Sequence, residues 1–354
     1  MKIRWYFWLV LAIPALSQQQ APLALKDFEP RSMLKVPAHP VERAKFPAID
    51  FHSHLVGGEA EAAIRAMDAA NMAVAVNFSG GSGERLRQQI ARFTKWPGRV
   101  VTFANVDFGA IDDPGFPEQA ARQLEQDARA GARGLKIFKS LDRNVKDRAG
   151  KLVAVDDPRL DPLWRKAGEM GIPVAIHTSD PDAFFVPTDR FNERWDELQR
   201  RPEWSFHGPP FPPKAELLAQ RNRVIARHPR TIFVGLHIAN HPEDLGEVEQ
   251  WMDRFPNLNV EVAARLNELG RQPYSARKFF LKFADRILFG IDGAPDEQRY
   301  RPYFRFLETY DEYFDYAPRP GQGRWRIYGI GLPDEVLKKV YWSNAARLLK
   351  LPSN

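Results

Sequence analysis

The chain contains no cysteine in 354 residues. That excludes disulfides, thiolate metal ligands, a cysteine nucleophile and a cysteine-linked lipid anchor, so any metal site must be built from histidine and carboxylates. Runs of like charge, low-complexity tracts and repeats of solenoid length are also missing. The net charge is only +6 and is spread along the chain, which gives no basic stripe for nucleic acid. No Gly-x-Gly-x-x-Gly follows a strand-like segment, and Gly57-Gly58 in the first loop does not replace one, so a dinucleotide-binding fold is unsupported.

The amino terminus is set apart from the rest. Lys2 and Arg4 precede an apolar stretch from Trp5 to Leu16, then Ala15-Leu16-Ser17 and three glutamines. A basic start, a short apolar core and a small-x-small site describe a secretory signal peptide, residues 1–17. The core is well short of the roughly 20 residues that span a bilayer. Cleavage after Ser17 is expected, with export to the periplasm or beyond and no stable membrane anchor afterwards. Loss of Lys2 and Arg4 takes the charge from +6 to +4. The Pro-rich segment 18–46 is expected to pack on the outside of the main domain, residues 47–354.

From residue 47 onward, apolar β-rich runs alternate with amphipathic helical stretches. Strands are predicted at Ala48–Leu55, Met72–Phe78, Val100–Val106, Gly134–Lys139, Pro173–His177, Thr231–Ile238, Leu258–Val262 and Ile287–Ile291. Helices are predicted at Glu59–Ala70, Gly83–Lys95, Pro117–Ala130, Pro158–Met170, Lys214–His228, Glu243–Phe255 and Ser275–Ala284. Asp157-Pro158 is a start signal and Gly131 and Gly171 are stops. Eight strands alternating with helices predict an α/β fold, a (β/α)₈ TIM barrel. The connections Thr178–Pro213 and Gly293–Pro333, after strands 5 and 8, are long and would lie over the catalytic face.

The first strand ends in His52-Ser53-His54. Side chains at i and i+2 of a strand point the same way, so two imidazoles, the commonest side-chain ligands for zinc, converge. Strand 5 ends in His177, strand 6 in His237 and strand 8 in Asp292, while Lys136 lies inside strand 4. In a barrel these strand ends ring one pocket.

On these residues the chain resembles the amidohydrolase superfamily, in its amidohydrolase-2 (aminocarboxymuconate-semialdehyde decarboxylase-like) branch, from Ile49 to Leu349. Asp50-Phe-His-Ser-His54 is similar to the superfamily's first-strand metal motif, and Arg286-Ile-Leu-Phe-Gly-Ile-Asp292 to its last-strand motif. Leu332–Leu349, with Asn344, is similar to the branch's closing helix. The resemblance implies His52, His54, His177 and Asp292 as metal ligands and His237 as the acid/base, with Asp292 also able to accept a proton. It implies one divalent ion, Zn(2+) before Mn(2+) or Co(2+); a second ion bridged by a carboxylated Lys136 is the weaker alternative. With one ion, Lys136 or Lys139 is free to pair with a substrate carboxylate.

Arg265 suits bidentate binding of a substrate anion, though a surface salt bridge explains it equally well. His207, with Trp204, is a candidate pocket residue in the loop after strand 5, and Asn240 a candidate substrate contact. The segment Phe304–Tyr316 reads as a packed cap, and His39 and His228 as structural or solvated. The expected partner is a small molecule, and a homodimer is left open. The leading expectation is a metal-dependent hydrolase that uses metal-activated water on an amide, ester or lactone of a small carboxylated or cyclic substrate. The alternative is a non-oxidative decarboxylase of the same branch, and the remote one an exported metal-binding barrel without activity.

Overall fold

All eight predicted strands are present in the computed structural model, and all are shorter than predicted. They are β1 Ala48–Ser53, β2 Met72–Asn77, β3 Val100–Thr102, β4 Leu135–Ile137, β5 Val174–Ile176, β6 Phe233–Gly235, β7 Leu258–Glu261 and β8 Ile287–Leu288. The structure describes residues 23–24, 27–28, 30–318 and 321–352, so the signal peptide read over residues 1–17 lies outside the described residues. The chain divides between Lys35 and Val36. His39 and Phe46, read as part of an outer extension, therefore belong to the same unit as the strands.

Every neighbouring pair of strands is parallel, in one sheet of order β1-β2-β3 and another of order β4-β5-β6-β7-β8. Backbone bonds join the sheets at both edges. Ala104 bridges to Leu135 and Ser53 to Gly293, and the Phe51 and Asp292 amides donate to Phe289 O and His52 O at 2.8 and 2.9 Å. Strands buried on both faces explain the near-continuous apolar runs of the sequence. Phe51, Phe78 and Phe103 meet edge-on or tilted, 5.1–5.8 Å apart, within one buried apolar cluster.

The helices follow the predicted order: α1 Ala60–Ala69, α2 Gly83–Ala91, α3 Phe116–Arg129, α4 Asp161–Met170, α5 Lys214–Arg227, α6 Leu245–Arg254 and α7 Pro273–Lys282. Local chemistry sets their ends. Asp157 accepts from Arg159 N in the turn before α4, and Gly171 stops α4 at φ 61°. Asp244 caps α6 through Glu247 N at 2.9 Å. The long connection after β8 holds an unpredicted helix, α8 Glu297–Glu308, capped by Asp296. Its Phe304 and Phe306 are buried, as is Phe314 beyond it, which makes the aromatic segment a packed element. The closing helical stretch runs from Asp334 to Leu349. Asn344 anchors it by donating to Ala284 O and Ile287 O at 2.7 and 2.8 Å. No helix among the described residues is long and apolar enough to cross a membrane.

The strands fall short for a physical reason. The predicted sixth strand ends at Gly235 because His237, Ile238, Ala239 and Asn240 all take left-handed backbone, φ 50–58°. Ser179, Ala264 and Asp292, just beyond β5, β7 and β8, are left-handed as well. Beyond β5, β6 and β7 the backbone turns at Ser179, His237 and Ala264, whereas the run after β8 stays bonded to β1 through Phe289 O and the Asp292 amide.

Candidate metal centre

His52 and His54 do face the same side, with ring centroids 5.3 Å apart. Asp50 locks this strand end, since its carboxylate accepts from His52 N (3.0 Å), Ser53 Oγ (2.7 Å) and Tyr300 Oη (2.8 Å). The bridge between Ser53 and Gly293 lays the end of β8 beside β1. Asp292 Oδ1 thereby comes 3.2 Å from His52 Nε2 and 3.1 Å from His54 Nε2.

Protonation follows from the partners. His52 Nδ1 lies 3.0 Å from Glu261 Oε1, and a carboxylate only accepts, so Nδ1 carries the hydrogen and Nε2 keeps its lone pair. That lone pair faces the Asp292 oxygen, and two acceptors at 3.2 Å need a positive bridge, a proton or a metal ion, between them. Burial works against charge on His52, yet Asp292 and Glu261 raise its pKa. Burial also opposes charge on Asp292, yet His52 and His54 hold it well below the carboxylate range. His54 Nδ1 is held by Ser79 Oγ at 2.8 Å. Two imidazole nitrogens and a carboxylate oxygen on one point are a donor set that fits a divalent ion such as zinc.

His177 and His237 form a second convergence. His237 Nδ1 donates to Ala263 O at 2.8 Å and His177 Nε2 to Ser179 O at 3.1 Å. The remaining nitrogens, His177 Nδ1 and His237 Nε2, then face each other as lone pairs across 3.2 Å. Burial pushes His177 down to about 3, and burial with Arg265 beside it holds His237 well below the imidazole range, so both rings are neutral. His237 Nε2 is 3.8 Å from Asp292 Oδ2. Among the described residues, His52, His54 and Asp292 form one tight ligand group and His52, His237 and Glu261 another; His177 is in neither.

Left-handed backbone outside glycine costs roughly 1–2 kcal/mol per residue, and here it gathers at the site. The turn from His237 is held by Arg221 Nη1, which donates to Ala239 O. Asn240 Oδ1 accepts from Thr178 N at 3.2 Å, and its Nδ2 donates to Ser179 O at 3.1 Å. The Asn240 amide, a candidate substrate contact from sequence, is thus committed to fixing the loop after β5.

A cavity of about 1010 Å³ opens over His177, His237 and Asp292. Its wall carries Arg265, Lys139, Phe184, Trp204 and Tyr303. Arg265 is 4% exposed. Its Nη1 donates to Ala264 O, its Nε has no hydrogen-bond partner, and it makes no ion pair among the described residues. The surface salt bridge considered from sequence is therefore not its role. Lys139 pairs with Asp180 at 2.9 Å. Lys136 is buried beneath, its ammonium over the Phe78 and Phe138 rings, and burial lowers its pKa to about 7. His207 is exposed, with Nδ1 3.3 Å from Phe185 O, and is not among the residues lining this cavity. His39 and His228 pair with Asp311 and Asp161, as structural histidines do.

Sequence reasoning missed Glu261, Asp50 and Ser79 as supports of the centre. One signal was available for the first two: each is an acid inside an apolar strand, where a buried charge needs partners.

The amidohydrolase family model, of the amidohydrolase-2 type, matches residues 39–351. No curated protein matches the sequence. Among solved structures, the chain is similar to 2,6-dihydroxybenzoate decarboxylase from Rhizobium, at 16% identity and TM-score 0.57, over 86% of this chain and 99% of that one. It is similar to an uncharacterised TIM-barrel protein from Bordetella bronchiseptica, at 16% identity and TM-score 0.54, over 86% and 98%. It is also similar to a putative amidohydrolase from Staphylococcus aureus, at 17% identity and TM-score 0.54, over 86% and 99%. At these identities the likeness is one of fold. The match to the family model spans nearly the whole chain, and with it the protein belongs to the amidohydrolase family, in its amidohydrolase-2 branch.

Proposed function

We propose that this protein is a metal-dependent decarboxylase of small, flat carboxylic acids, built on a closed (β/α)₈ barrel. The observation that carries this reading is Arg265, a buried guanidinium that forms no ion pair among the described residues, on the cavity wall beside His237. Such a group is in place to receive an anion, and a planar carboxylate matches its fork. Phe184, Trp204 and Tyr303 on the same wall suit a ring. The similarity in fold to a 2,6-dihydroxybenzoate decarboxylase agrees. The order of the two chemistries expected from sequence is thereby reversed, with hydrolysis second.

His52, His54 and Asp292, the tight ligand group, would hold one divalent ion, with His177 the fourth ligand that the family resemblance implies and zinc the first choice. Bound there, the ion would draw electron density from the oxygens of the substrate. The chain supplies the rest. Arg265 fixes the carboxylate, and the aromatic wall orients the ring and excludes water. The bond from ring carbon to carboxylate breaks, carbon dioxide leaves, and one proton takes its place on that carbon. Asp292 Oδ2 and His237 Nε2, 3.8 Å apart and both unprotonated at rest, are the groups placed to take a proton from water or from the acidic form of the substrate and pass it to that carbon. The neutral His237 also favours the second reading, because its Nε2 lone pair can take a proton from an attacking water. Export through residues 1–17 remains part of the proposal.

The test is a panel of hydroxybenzoates, other arenecarboxylic acids, esters and lactones, offered to Zn-, Mn- and Co-loaded enzyme. Acids that release carbon dioxide and gain one deuterium from D₂O at the vacated carbon support decarboxylation; turnover of esters or lactones alone favours hydrolysis. His237→Gln should lower either turnover at least about 100-fold with metal content unchanged, and near-native activity would remove His237 from the mechanism.

A further inference from the structure

Glu261 ends β7 with its side chain fully buried, and only β8 separates this strand from β1. Its carboxylate collects three N–H groups from three strand ends, those of β1, β6 and its own β7. Oε1 accepts from His52 Nδ1 at 3.0 Å and from the His237 backbone amide at 2.7 Å, while Oε2 accepts from the Ala263 amide at 2.6 Å.

We infer that Glu261 is a positioning residue that sets the His52 tautomer and the His237 backbone with one carboxylate, so that both imidazoles address the same point. It touches neither substrate nor reacting atoms. Its bond to Nδ1 directs the His52 Nε2 lone pair at Asp292. Its bond to the His237 amide meets the chain where the left-handed turn begins, at φ 58°, and so fixes the ring that follows. The strand beside it is shaped to leave it room: a Cβ at Gly290 would stand 3.1 Å from Glu261 Oε2 and 2.9 Å from His52 Cβ. Gly290 is therefore a glycine for reasons of space.

This inference rests on the metal centre proposed above. No single neutral side chain reproduces the three contacts. In Glu261→Gln the carbonyl oxygen can serve Oε1 or Oε2, and the NH₂ group then opposes an N–H donor at the other. The experiment measures Zn(2+) affinity of the full chain by chelator competition, and the visible absorption of the Co(2+)-loaded protein, for wild type, Glu261→Gln, Glu261→Ala and Gly290→Ala. Circular dichroism and thermal melts of the metal-free forms report folding. The expected result is 10- to 100-fold weaker Zn(2+) binding in folded Glu261 variants, with a changed cobalt spectrum at saturation. A residue that only stabilises the fold would lower the melting temperature and leave both readouts alone. Folded Glu261→Gln with affinity within about threefold of wild type and an unaltered spectrum overturns the inference. If neither Glu261 variant folds, Gly290→Ala decides, and unchanged affinity there overturns it. Failure of the wild type to bind metal would instead sink the proposed metal centre, and this inference with it.

Discussion

Asp142 offers a test of the electrostatics beside the cavity, and the sign is unusual for an aspartate. It lies in the turn Leu141–Asn144 after β4, is 3% exposed, and its Oδ1 has no hydrogen-bond partner. Burial raises its pKa to about 7; Arg143 pulls the other way, and Asp180 adds to the rise. The folded protein therefore holds this proton more tightly than the unfolded chain, whose aspartates titrate near 3.9. Between about pH 4 and pH 7 the folded state binds more protons, so stability falls as pH rises, and the loss is complete above about pH 7. Three pKa units at 1.36 kcal/mol each set a ceiling of about 4 kcal/mol. Asp142→Asn removes the titration and mimics the protonated form. Urea unfolding with chelator present, at pH 5 and pH 8.5, reads the difference. The variant should lead wild type by about 1.5 kcal/mol at pH 5, roughly one pKa unit above the unfolded value, and by up to about 4 kcal/mol at pH 8.5. A variant equally or less stable at pH 8.5 refutes the reasoning, because charge on Asp142 would then carry no net penalty.

Arg265→Met keeps the bulk of the side chain and removes its donors. KM for a carboxylate substrate should rise about 10- to 150-fold, the equivalent of about 1.5–3 kcal/mol for a charged hydrogen bond. KM for a neutral ester of the same acid should barely move, and an equal rise for both would mean that Arg265 shapes the cavity only. Trp164 on α4 is fully buried and packs 6.5 Å, centroid to centroid, from Phe233 of β6. Trp164→Ala should lower unfolding free energy by about 3–5 kcal/mol, seen as a lower urea midpoint at unchanged slope; a loss under about 1 kcal/mol would show that helix and sheet repack freely.

By itself the sequence determined what local geometry controls. The same-side pairing of His52 and His54 follows from the period of a strand, and the start at Asp157-Pro158 and the stop at Gly171 are backbone preferences of single residues. The order of eight strands and seven helices was legible because both faces of each strand are buried and each helix keeps one apolar face. Helix α8 was legible only in its last turn, as part of the packed cap read over Phe304–Tyr316, since its start lies in a stretch that reads as a long loop. The tertiary structure alone decided which polar groups serve the site. Glu261 meets His52 across 209 residues, a contact created by the lateral order of the strands rather than by any spacing. Four successive left-handed residues without glycine at His237–Asn240 have no sequence signature, because Arg221, Glu261 and the Thr178–Ser179 backbone hold them from other elements. The same bonds spend the Asn240 amide on the loop, and Asp180 takes up Lys139, while Arg265 forms no ion pair among the described residues and keeps Nε without a hydrogen-bond partner. Residue type and strand position nominated these side chains, and competition among neighbours in three dimensions settled which of them remained available.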